Sequence, residues 1–145
     1  MSFNIYQFSS FAELLQYIDA KIGSIESALS QLQQRYNYIK SRAEKIQRLE
    51  KVIEELVGEK ISLLNEIDFM GLKVVINARA IDELNVLEET IMSQQDLLNA
   101  LKRIREVIQK LNDSLTSTSG LEGITIMVQT MNDIPIRILL KESEQ

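Results

Sequence analysis

Apolar residues recur at alternating steps of three and four along Leu15, Ile18, Ile22, Ile25, Leu29, Leu32, Tyr36, Ile39, Ala43 and Ile46. A repeat averaging about 3.5 residues keeps one stripe of an under-wound helix facing a neighbour, so this stretch reads as a coiled-coil seam that must bury against another helix. Ser10 followed by Glu13 is a capping box and marks the helix start. The seam continues through Leu49, Ile53, Leu56, Leu63, Ile67 and Met70, with a three-and-three stammer at Ala43, Ile46 and Leu49. The pattern predicts one helix over 9–69, with a break near Gly58 as the alternative. Upstream, Phe3, Ile5, Tyr6 and Phe8 fit a short strand and a frayed tail equally.

A reversal is expected over 70–77, where Gly71 can take positive φ and Asn77 can cap a helix. A second seam, Ala80, Leu84, Leu87, Ile91, Gln94, Leu98, Leu101, Ile104, Ile108, Leu111 and Leu115, predicts a helix over 78–116. It too stammers, at Leu98, Leu101 and Ile104. A chain folding back near residue 74 would set position 46 opposite about position 102, with the two stammers face to face.

The period then changes from 3.5 to 2. Ile124, Ile126 and Val128 alternate, Met131, Asn132 and Asp133 can turn, and Ile134, Ile136, Ile138 and Leu140 alternate again, which predicts a β-hairpin over 121–141 with one apolar face. Pro135 places its strand at an edge. The expected fold is a single, mainly α domain over 1–145: a long antiparallel helical hairpin (coiled coil) or a compact helical bundle, with a short C-terminal β-hairpin. In the extended form the seam from Leu15 to Leu32 has no internal partner. Leu15, Ile18, Ile22, Ile25 and Leu29 are therefore expected to bind a protein partner, with a second copy first in line, and Ile134 and Ile136 to dock the β-hairpin.

Charge divides this picture further. The net charge is −5, yet residues 35–51 carry six Lys and Arg against two Glu, and residues 102–110 carry four against one. Folding near residue 74 would bring Arg42, Lys45 and Arg48 level with Lys102, Arg103 and Arg105 as a basic band facing an anionic partner. Direct nucleic-acid binding through that band is disfavoured, because only Tyr36 and Tyr38 interleave it. The plainer expectation is a solvated helix face.

The chain has no Cys and no His, which removes thiolate and imidazole chemistry and the usual zinc, haem and di-iron ligand sets. No phosphate-binding Gly loop or nucleophile elbow occurs, and the adjacent carboxylates Glu54, Glu55 and Glu88, Glu89 read as surface. We expect no catalytic site, no cofactor and no metal. Residues 1–8 lack the pattern of a signal peptide, and no apolar run approaches a membrane span, so the expectation is a soluble, cytoplasmic protein without membrane contact. The leading functional expectation is a non-enzymatic interaction or assembly protein. A helical regulator occupying a groove of a nucleic-acid-processing machine is the alternative, and a prefoldin-like holdase a further one. The last rests on two helical arms alone, since prefoldin subunits place their strands between the helices.

Overall fold

The computed structural model describes residues 2–57, 66–75, 79–116 and 123–143. In chain order these form β1 (Phe3–Phe8), α1 (Phe11–Val57), β2 (Glu66–Phe69), β3 (Leu72–Val75), α2 (Ala80–Thr116), β4 (Ile124–Met131) and β5 (Ile134–Glu142). The fold is mostly helical, with two packed helices, as expected; the expected C-terminal β-hairpin is two strands of an antiparallel three-stranded sheet. Contacts divide it into two units, a terminal unit of Met1–Leu29 with Ser93–Gln145 and a middle unit of Ser30–Met92.

The first helix is shorter than its apolar repeat. α1 ends at Val57, and residues 66–69, read as its last turns, are strand β2. The reason is local. Met70 and Gly71 both adopt positive φ, 53° and 89°. A tight two-residue hairpin turn requires such a pair, and a helix cannot pass through it. The break expected near Gly58 lies outside the described residues.

In the terminal unit, the Glu13 amide donates to Ser10 Oγ at 3.1 Å, which satisfies one orphan donor of α1. The Glu13 carboxylate reaches one residue further back than a capping box requires and accepts from the Ser9 amide and hydroxyl at 2.8 and 2.5 Å. Those two bonds hold its pKa below the ordinary carboxylate value. Upstream of the cap, residues 3–8 are a paired strand, so the strand reading of the N-terminus holds. The sheet order is β1-β4-β5, all antiparallel, with Pro135 on edge strand β5 as expected.

Asn132 and Asp133 take positive φ, 51° and 68°. That conformation closes the β4–β5 turn. Asn132 also anchors β1: its amide donates to the Ser2 carbonyl, and its side-chain oxygen accepts from the Ser2 amide. One face of the sheet packs on both helices. Leu14, Leu15, Ile18 and Ile22 of α1, Leu98, Leu101 and Ile108 of α2, and Ile126 and Val128 of β4 form one buried cluster.

In the middle unit, the Glu83 amide bonds the Arg79 carbonyl and Asp82 Oδ2 accepts from the Arg79 amide at 2.9 Å. Arg79 is thus the cap position of α2, and the expected cap, Asn77, lies outside the described residues. Arg35 and Glu83 form an ion pair at 2.8 Å, and Ile39 and Ala43 are buried.

Candidate interaction surfaces

Leu15, Ile18 and Ile22 are 8%, 1% and 8% exposed, and Ile25 and Leu29 are partly buried against the same core. The seam expected to await a partner therefore has one inside the chain. This corrects the assignment of these five residues to a partner surface. The physical reason is that α2 and β4 both reach this part of α1, so its stripe is covered from two sides.

The residues of the expected basic band fall in both units. Arg105 forms a two-point ion pair with Asp19 in the terminal unit, through Nε to Oδ1 and Nη2 to Oδ2. The bond raises the Arg105 pKa still further. Position 105 is thus opposite 19, and Lys102 and Arg103 are exposed residues of the terminal unit. Arg42, Lys45 and Arg48 are exposed in the middle unit, where Arg48 Nε donates to the Glu44 carbonyl at 3.3 Å. The stammer at Leu98 and Leu101 packs with the N-terminal part of α1.

The sheet supplies a surface that sequence reasoning saw only in part. Strand pairing sets side chains in rows, and residues directly opposite each other share a face. One face carries Tyr6, Val128 and Ile138 in one row and Phe8, Ile126 and Leu140 in the next, turned to the helices. The opposite face carries Phe3, Met131 and Ile134, then Ile5, Gln129 and Arg137, then Gln7, Met127 and Leu139. On it Phe3 is 54%, Ile5 64% and Leu139 50% exposed. An antiparallel sheet with one wet face ordinarily alternates apolar-in and polar-out, so six apolar residues on this face, beside Gln7, Gln129 and Arg137, are a departure.

The expected single apolar face of the hairpin is corrected by a bulge between Gln129 and Thr130. Gln129 pairs with Arg137 and Thr130 with Pro135, so Ile136 is the extra residue and Ile134 lies on the outer face. Ile136 is 48% exposed and Ile134 half-buried. Thr130, beside the bulge, is 1% exposed, and its Oγ1 has no hydrogen-bond partner. Phe3 and Ile5 were missed as surface residues. Their signal was an apolar run that ends at a capping box and so could not belong to the helix.

Behind the sheet, the Tyr17 ring lies 5.2 Å from Tyr6 and 5.4 Å from Phe8. Burial, then its hydrogen bond with Tyr6, pushes the Tyr17 phenol up to about 12. Among the described residues no helix is long and apolar enough to cross a membrane, and no cluster of acidic side chains has metal-binding geometry. Comparison with known proteins gives no match to a family model, a curated protein or a solved structure.

Proposed function

We propose that the chain is a non-enzymatic assembly protein: an antiparallel helical hairpin of coiled-coil type whose terminal sheet joins it to further copies of itself. The observation that carries this reading is the outer sheet face, where Phe3, Ile5 and Leu139 are half or more exposed and Met127, Met131 and Ile134 adjoin them. Such a face gains stability when a second sheet packs against it, and a two-fold arrangement lets the same patch serve both partners. Edge strands β1 and β5 also keep open hydrogen-bonding edges, which favours association through this end. The docking role of the β-hairpin is retained in this proposal, with Phe3 and Ile5 added to Ile134 and Ile136.

The test is sedimentation over a range of concentrations for the parent chain and for the double variant Ile5→Asp, Leu139→Asp. The expected outcome is a defined oligomer that the double variant dissociates, with helical content unchanged by circular dichroism. A parent chain that stays monomeric throughout would remove the assembly reading. The holdase alternative would then gain ground, since Leu49, Val52 and Leu56 of α1 and Met70 and Leu72 of the middle hairpin are all exposed.

A further inference from the structure

The middle unit contains a cleft of about 460 Å³ that the assembly reading does not use. Ile39 and Ala43 of α1, 4% and 3% exposed, form an aliphatic floor, joined by Ala80 and Ile81 at the start of α2. Among the described residues, Arg35, Arg42 and Arg79 line it together with the acid Glu83. Of these, Arg42 is the cation on which the charge argument rests. Arg35 is bound to Glu83, whereas Arg42 Nη1 donates to the Tyr38 hydroxyl at 3.0 Å and has no acidic partner among the described residues.

We propose that this cleft binds an acidic, apolar segment of a protein partner, with an aliphatic side chain on Ile39 and Ala43 and a carboxylate on Arg42. Guanidinium groups suit this task because they are permanently charged and can meet a carboxylate at two points. Charge complementarity selects the anionic group, and the aliphatic floor selects a segment that also brings an apolar side chain. A nucleic-acid strand fits less well. The aromatic ring of the cleft, Tyr38, already has the Arg35 guanidinium 5.5 Å and the Arg42 guanidinium 5.7 Å from its centroid. It therefore offers no free platform for a stacking base. The site lies wholly within Ser30–Met92 and is independent of the sheet face.

The experiment is selection of a random short-peptide display library on the full chain. Binding of the selected peptides is then measured by fluorescence anisotropy, with a single-stranded oligonucleotide as competitor. The expected consensus pairs Asp or Glu with Leu, Ile or Val. Arg42→Glu should weaken such peptides by about tenfold or more, Arg42→Lys by less, and the reversal Arg103→Glu, in the terminal unit, should leave them unchanged. Arg42 and Arg103 are both exposed, so circular dichroism should report an unaltered fold. Peptides without acidic enrichment, equal binding to Arg42→Glu, an equal loss in Arg103→Glu, or displacement by the oligonucleotide would each overturn the proposal.

Discussion

The same helix carries the same kind of apolar repeat through both units, with opposite results. In the terminal unit the seam residues Leu15, Ile18 and Ile22 are at most 8% exposed; in the middle unit Leu49 is 63% and Leu56 81% exposed. What differs is what meets the stripe. In the terminal unit a sheet packs on the helices as well, so the cluster closes with Ile126 and Val128 as its third layer. Among the described residues, the middle unit has two helical segments and a two-stranded hairpin, and its buried apolar residues are Ile39 and Ala43. Ile39 and Ala43 lie beside the start of α2, and α1 runs on past that start through Leu49 and Leu56, whereas in the terminal unit a sheet laid across both helices encloses the stripe.

The largest test of this contrast is truncation in each unit. Leu101→Ala, which empties space in the closed core, should cost about 3 kcal/mol in urea denaturation, while Leu49→Ala should cost under about 0.5 kcal/mol. Equal losses would mean that the two units are packed alike. A smaller and opposite effect is expected at Thr130, whose buried hydroxyl lacks a partner. Thr130→Val keeps the shape, removes the unpaired group and should raise stability by about 1 kcal/mol. A loss instead would show that the hydroxyl is satisfied in solution, by water for example.

The smallest effect sharpens the sheet–helix contact at Tyr17. Its folded pKa, about 12, lies above the ordinary value of 10.0, so the folded state holds the phenolic proton more tightly. The corresponding stability is fully present below pH 10 and is lost as pH rises from about 10 to 12. Thermal melts of Tyr17→Phe across that window should fall less steeply than those of the parent. Parallel curves would place Tyr17 outside the packed layer.

Much of this was legible in the residues themselves. Steps of three and four named the helical stripes, Ser10 and Glu13 marked where α1 begins, and the change to period two with Asn132 and Asp133 located the β4–β5 hairpin. Those signals are local, because they follow from backbone geometry and from hydrogen bonds a few residues apart. Other features had no local signal. Leu63 and Ile67 continue the helical repeat in sequence, yet the positive φ of Met70 and Gly71 makes 66–75 a hairpin. Nothing near the Arg42 cleft, moreover, announced that α2 would start beside it.

By itself, then, the sequence determined which stripes must leave water, where helices and the C-terminal hairpin begin, and that thiol and imidazole chemistry is excluded. Only the tertiary structure decided what each stripe meets. Apolar burial is non-directional, so the pattern on Ile18 and Ile22 is equally content with a second copy, a bundle helix or a sheet. The choice fell to pairings distant in sequence, Asp19 with Arg105 and Phe3 with Met131. These cover the seam that looked unpartnered and leave Phe3, Ile5 and Leu139 exposed on the other side of the sheet.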